Sequence, residues 1–164
     1  MVTGSPEGEA RSIDEILGEA RARQRRLGPV EARAAVASGA VLVDIRSQAQ
    51  RAAQGVVPGT LHVERNVLEW RFDPRSPARL PQASYHLRVI VMCVEGYTSS
   101  LAAASLQDLG VAGATDLAGG FRAWQRADLP VVAAPVVAAP IVAAPVAPAP
   151  VAPVPAVPGA VALG

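Results

Sequence analysis

Apolar positions along the chain fall into two kinds of pattern. Val41-Leu42-Val43-Asp44-Ile45 is a short, largely β-branched run bounded by Gly39 and polar residues, and Val89-Ile90-Val91-Met92 is a second that ends at Cys93. Consecutive rather than alternating apolar residues predict strands covered on both faces, as in a parallel sheet between helices. Around them the apolar spacing is helical. Ser12 and Glu15 have capping-box spacing and are followed by Ile13, Ile16, Leu17 and Ala20 in helical register, which predicts a helix from Ser12. Further helices are predicted over Val30–Ser38 with Gly39 as stop, Gln48–Gln54, and Ser99–Leu109 with Ala102, Leu106 and Leu109 on one stripe before Gly110. Ala114–Leu117 reads as a weaker strand, and Gly119-Gly120 leads into a last helical turn carrying Phe121 and Trp124. Strands alternating with helices predict an α/β fold.

Beyond Pro130 the pattern stops. From Val131 to Gly164 the chain holds only Val, Ala, Pro, Ile, Gly and Leu, so the domain is expected over residues 12–130, after a flexible N-terminus of residues 1–11. An uncharged apolar segment of this kind invites reading as a membrane anchor. Proline at 130, 135, 140 and 145 removes a helical donor at every fifth position, and no run before Pro148 approaches the roughly 20 residues a spanning helix needs. The VVAAP pentads favour a fluctuating polyproline-II strand, so residues 131–164 are expected to be a disordered tail without a specific partner.

Composition removes several classes of function. The 15 basic and 14 acidic residues leave a net charge of +1, which excludes nucleic-acid binding driven by bulk charge. Every basic residue is Arg, so neither a Schiff-base lysine nor a P-loop lysine exists. With one cysteine, Cys93, and two histidines, His62 and His86, no internal disulfide or multi-thiolate metal site can form, and neither metal nor cofactor is expected. The first ten residues lack the continuous apolar stretch of a signal peptide, and a cytoplasmic location is the expectation. The basic run Arg21, Arg23, Arg25 and Arg26 reads as the solvated end of the first helix, suited to the negative pole of its dipole.

In open parallel sheets ligands collect at the carboxyl ends of strands, and Cys93 stands at such an end. The loop Cys93-Val94-Glu95-Gly96-Tyr97-Thr98-Ser99 follows it, with a central glycine, and opens directly into a helix. Backbone N–H groups turned inward by such a loop, with the partial positive charge of the helix start, would stabilise a sulfur anion and make it nucleophilic at neutral pH. On spacing alone the alternative is equally open: Cys93 as a small buried hydrophobe.

Four segments together resemble the single-domain rhodanese (sulfurtransferase) family over about Leu27 to Pro130: Val41–Arg46, Gly55-Val56-Val57-Pro58-Gly59-Thr60, the Cys93 loop, and Leu117-Ala118-Gly119-Gly120-Phe121-Arg122-Ala123-Trp124. The resemblance implies a rhodanese-like open parallel sheet and a sulfurtransferase that carries a sulfane sulfur as a persulfide on Cys93. It implies as partners a small anionic sulfur donor, thiosulfate or mercaptopyruvate, and a thiol or cyanide acceptor, a protein acceptor included, with neither nucleic acid nor membrane. Val94, Glu95, Gly96, Tyr97, Thr98 and Ser99 would bind the donor, with Thr98 and Ser99 hydroxyls adding to the amides. Asp44 and Arg46 would brace the sheet edge and the loop.

The loop departs from the family where substrate choice is made. Many thiosulfate-using members carry a basic residue after the cysteine and an arginine near the loop's end, whereas this chain has Val94, Glu95 and Thr98. Glu95 would repel a dianion, unless it points outward into solvent. Gly96-Tyr97-Thr98 looks more like mercaptopyruvate-using members, without their Gly-Ser pair after the cysteine. Related phosphatases of this fold use cysteine, five residues and arginine; the sixth residue after Cys93 is Ser99, so their phosphate clamp is absent. Arg65, either a plain surface residue or a cation at the pocket mouth, is counted with the candidate binders. His62 reads as a satisfied polar residue, and Trp70 and Trp124 as core or pocket-wall aromatics. The second reading of the whole chain is a catalytically weak rhodanese-like module used for protein recognition.

Overall fold

The computed structural model describes residues 10–135. The chain runs α1 (Ile13–Ala22), α2 (Pro29–Ala37), β1 (Val41–Asp44), α3 (Gln48–Gln54), β2 (Leu61–His62), a 3-10 turn at Arg65–Val67, α4 (Leu68–Phe72), β3 (Val89–Met92), α5 (Thr98–Asp108), β4 (Thr115–Asp116) and α6 (Gly120–Arg126). The strands form one parallel sheet in the order β2-β1-β3-β4. This is the α/β fold the sequence predicts.

The two central strands explain the apolar runs. β1 pairs with β3 along its whole length, from Val41 with Val89 to Asp44 with Met92, and β4 flanks Ile90 and Val91 on the other side, so β3 lies inside the sheet and is buried on both faces. Alternate residues then divide between two cores. Val43, Val89 and Val91 pack with Leu68, Phe72, Ala102, Ala103 and Leu106 on one face. Leu42, Ile90 and Met92 pack with Ala32, Leu117, Phe121 and Trp124 on the other. All four side chains of β3 are within 2% of complete burial, which at about 25 cal/mol per Å² makes this strand the centre of the hydrophobic stabilisation.

Local signals set the helix starts. Ser12 caps α1 through a complete capping box with Glu15, and Ser47 caps α3 in the same way with Gln50. Pro29 occupies the first turn of α2, where its missing N–H costs nothing. The predicted helices stand within one or two residues of their expected ends. Strand β2, the 3-10 turn and α4 were not expected; each is five residues or shorter and leaves no usable period in the sequence.

Of the two tryptophans, Trp70 is 61% exposed and lines a surface pocket with Glu69, Asp73 and Leu109, whereas Trp124 is buried and donates its indole N–H to Pro130 O at 3.0 Å. The expected end of the domain needs correction. The chain stays attached beyond Pro130: Val132 exchanges both backbone hydrogen bonds with Val56 (2.8 and 2.9 Å), and Val131 packs against the Leu42 core. The remainder of the expected tail, residues 136–164, and most of the expected flexible N-terminus, residues 1–9, lie outside the described residues. Among the described residues no helix is long and apolar enough to cross a membrane.

Candidate active site

Cys93 follows the last residue of β3 and is 9% exposed at the base of a cleft of about 360 Å³. Ile45, Arg46 and Gln50 line one side; Val94, Glu95, Tyr97 and Thr98 of the loop line the other. The size suits a small ligand. The Gly96 N–H donates to Cys93 Sγ at 3.1 Å, and Ser99 Oγ lies 3.3 Å from the same sulfur. The eleven-residue helix α5 starts at Thr98, so its unpaired amide end faces the loop's closing residues. The sulfur thus accepts one directed backbone N–H and stands beside the loop that opens into α5.

The loop keeps this shape because two glycines let the chain fold tightly around it. Gly96 has φ +82°, and a Cβ there would lie 2.7 Å from Gly119 N. Gly120, at φ +60°, sits against the loop so closely that a Cβ would meet Cys93 O at 2.6 Å and Glu95 N at 2.7 Å. That approach lets the first turn of α6 hold the loop's carbonyls: Phe121 N donates to Cys93 O at 2.8 Å and Arg122 N to Val94 O at 3.0 Å. The backbone of the segment Leu117–Trp124 therefore fixes the loop from behind.

The charges are paired in ways that sequence spacing does not show. Glu95 lines the cleft and is joined at its mouth by the guanidinium of Arg122 from α6. Arg46 and Asp44 are both fully buried; Arg46 gives Nε and Nη2 to the carboxylate (3.0 and 2.7 Å), Nη2 also to Gly55 O at 2.9 Å, and Nη1 to Gln54. Its guanidinium lies 3.7 Å from the ring centroid of Phe121, which ties β1 to α6 beneath the cleft. Arg65 stands apart: it bonds twice to Glu69 (2.8 and 2.9 Å), one helical turn on, and does not line the cleft. His62 is satisfied by Arg46 O at 3.0 Å.

The basic run after α1 is only partly solvated, which corrects the reading from sequence. Arg23 pairs with Asp108 and Arg25 with Glu31 at the surface. Arg21 and Arg26 turn under the loop, each donating to Gly96 O at 2.9 Å. Arg26 also holds Asp116, a fully buried carboxylate at the end of β4, through Nε at 2.7 Å. Neither Asp116 nor its contact with Ser99 and Ser100 is foreshadowed by any local motif.

Comparison with known proteins agrees with this fold. The model of the rhodanese-like domain family matches residues 28–127. A sulfurtransferase of Allochromatium vinosum is 33% identical over 93 residues, covering 57% of this chain and 78% of that protein. The thiosulfate sulfurtransferase GlpE of Pseudomonas fluorescens is 35% identical over 102 residues, covering 62% and 84%. Among solved structures, a Rhodopseudomonas palustris protein of unknown function, described as a "possible tyrosine phosphatase", superposes with a TM-score of 0.70 at 32% identity over 75% of this chain and 96% of that one. The human single-domain sulfurtransferase TSTD1 superposes with a TM-score of 0.53 at 28% identity, over 63% and 96%.

Proposed function

The chain belongs to the rhodanese-like domain family, and on that premise we propose that it is a sulfurtransferase that carries a sulfane sulfur as a persulfide on Cys93. The observation that carries this reading is the Gly96 N–H directed at Cys93 Sγ, 3.1 Å away at the base of a small cleft. The Cys93 thiolate attacks the outer sulfur of a donor such as thiosulfate; the new S–S bond forms as the donor's S–S bond breaks, and sulfite leaves with the electron pair. An acceptor thiolate or cyanide then attacks the terminal sulfur, and Cys93 departs as thiolate. The cycle is a ping-pong exchange that needs no general base. Because Cys93 is the only thiol of the chain, the acceptor comes from outside.

A phosphatase reading finds no support in the site. The place of its phosphate-clamping arginine is taken by Ser99, fully buried and bonded to Asp116 at 2.9 Å. Incubation with thiosulfate or mercaptopyruvate should add one sulfur mass to the intact protein, removable by cyanide or a thiol, and Cys93→Ser should add none. Turnover by Cys93→Ser at the parent rate would end the reading. A parent protein that gains no mass from either donor would favour the weak recognition module instead.

A further inference from the structure

Asp116 is a fully buried carboxylate without a part in the sulfur-transfer scheme above. Its two oxygens take Nε and Nη2 of Arg26 (2.7 and 3.1 Å), and Oδ2 lies 2.9 Å from each of two hydroxyls, Ser99 Oγ and Ser100 Oγ. An ionised carboxylate only accepts, so a hydroxyl bonded to it places its single proton there. Ser99 Oγ is at the same time 3.3 Å from Cys93 Sγ. With its O–H directed at Asp116, Ser99 turns a lone pair to the sulfur. That suits a thiol, which can donate S–H, and opposes a thiolate or persulfide, which needs a donor.

Ser100 supplies the means of exchange. Its hydroxyl reaches Gly96 O (3.1 Å) as well as Asp116, but Gly96 O already accepts from Arg21 and from Arg26, each at 2.9 Å. Arg21 Nε in turn donates to Ser100 Oγ at 3.2 Å, which leaves the Ser100 O–H free to stay directed at Asp116. We propose that Asp116, held by Arg26, is a positioning residue that accepts the Ser99 O–H hydrogen bond while Cys93 is a thiol and releases it when the sulfur becomes anionic, so that the same O–H, its proton staying on Ser99 Oγ, turns to donate to Sγ, with Ser100 and Arg26 keeping the carboxylate bonded. Its use in turnover rests on the sulfurtransferase reading; the exchange itself needs only the thiol and thiolate of Cys93. The other charged or titratable groups around the sulfur are Arg46 on the β1 side, Glu95 with Arg122 and Tyr97 at the mouth, and Arg21 beneath.

Alkylation of the full chain by iodoacetamide, followed by intact mass from pH 5 to 9, reads the thiolate without any sulfur donor. Ser99→Ala should react about tenfold more slowly at pH 7, the scale of one hydrogen bond to a charged group, with the profile displaced to higher pH, and Ser99→Thr should restore it. Ser100→Ala, which does not touch the sulfur, should slow the reaction about two- to threefold, because Ser99 is then the only hydroxyl on Asp116. Asp116→Asn should react faster than the parent, since its amide can donate to Ser99 and leave that proton for the sulfur. An unchanged profile in Ser99→Ala or Ser100→Ala overturns the proposal, and so does slower alkylation of an Asp116→Asn protein with native melting. If Asp116→Asn does not fold, the two alanine variants decide alone. Variants that alkylate as expected in a protein that takes no mass from sulfur donors would leave the exchange standing and remove the sulfurtransferase reading.

Discussion

Arg122 reaches from α6 to the carboxylate of Glu95, so the one acidic residue of the Cys93 loop meets its counter-charge at the cleft mouth. An approaching dianion therefore faces a near-neutral pair rather than a bare carboxylate. Both side chains are about half exposed, so the pair adds little stability, about 0 to 1 kcal/mol. A larger effect is expected on the choice of donor.

Breaking the pair from either side should move donor use in opposite directions. At about 6 Å an unpaired charge changes the energy of an anionic donor by roughly 0.7 to 3 kcal/mol for dielectrics of 80 to 20. Glu95→Gln frees the Arg122 cation and should raise kcat/KM for thiosulfate about threefold or more at low salt; Arg122→Ala should lower it by a similar factor. The double variant should return close to the parent, and added salt should compress all the differences. Steady-state assays at two ionic strengths check this. Equal constants in all four proteins would show that the donor binds away from Glu95.

How far the site could be read from the chain follows from the range of its contacts. The strands β1 and β3 were legible because burial on both faces writes itself as consecutive apolar residues, and Cys93 because a strand end leading to a glycine loop and a helix is a local pattern. The pairings that govern the charges are not local. Arg26 and Asp116 are separated by 90 residues and Arg122 and Glu95 by 27, and nothing in either segment distinguishes these arginines from their solvated neighbours Arg23 and Arg25. Strand β2, two residues long, exists only because Val43 and Asp44 offer it a ladder. Arg65 stays open between surface and pocket mouth in the sequence for a different reason: its partner Glu69 is only four residues on, but in a helix too short to predict.

Arg46 should be the costliest charged residue to remove. It supplies two hydrogen bonds to the fully buried Asp44 and also closes on Gly55 O. Arg46→Met would leave that carboxylate with Arg51, 3.4 Å away, as its remaining ion pair, and should lower stability by about 3 to 5 kcal/mol. Adding Asp44→Asn should recover part of the loss. Urea denaturation of the three proteins measures both steps; a single-variant cost below about 1 kcal/mol would contradict the buried pairing.

Glu15 gives the fold a small acid sensitivity. The Ser12 backbone N–H, and then the Ser12 side chain, hold its carboxyl below the ordinary value of 4.5. A carboxyl depressed in the folded state stabilises it above the unfolded-state value, and the contribution disappears as pH falls through the folded one. Glu15→Gln keeps an acceptor for the capping box and removes this titration. Its loss of stability between pH 5 and pH 3 should be shallower than the parent's in denaturant titrations, and parallel curves would show that the capping box forms without charge.

The end of the domain can be located by truncation. A chain ending at Pro135 keeps the Val56–Val132 bridge and the packing of Val131, and its melting temperature should stay within about 2 °C of the full chain. A chain ending at Pro130 loses both backbone hydrogen bonds, leaves Val56 N–H and C=O without their partners, and uncovers part of the Leu42 core. At about 1 kcal/mol per hydrogen bond, with the lost apolar contact in addition, it should be less stable by roughly 2 to 3 kcal/mol. Val56 lies two residues after Gln54 and one after Gly55, the groups that receive Arg46, so the loosening should spread toward the cleft. Hydrogen exchange of the Val56 and Gly55 amides in the two chains would show it: faster exchange confined to the Pro130 chain is the expected result, and equal protection in both would mean that Val131 and Val132 add nothing to the fold.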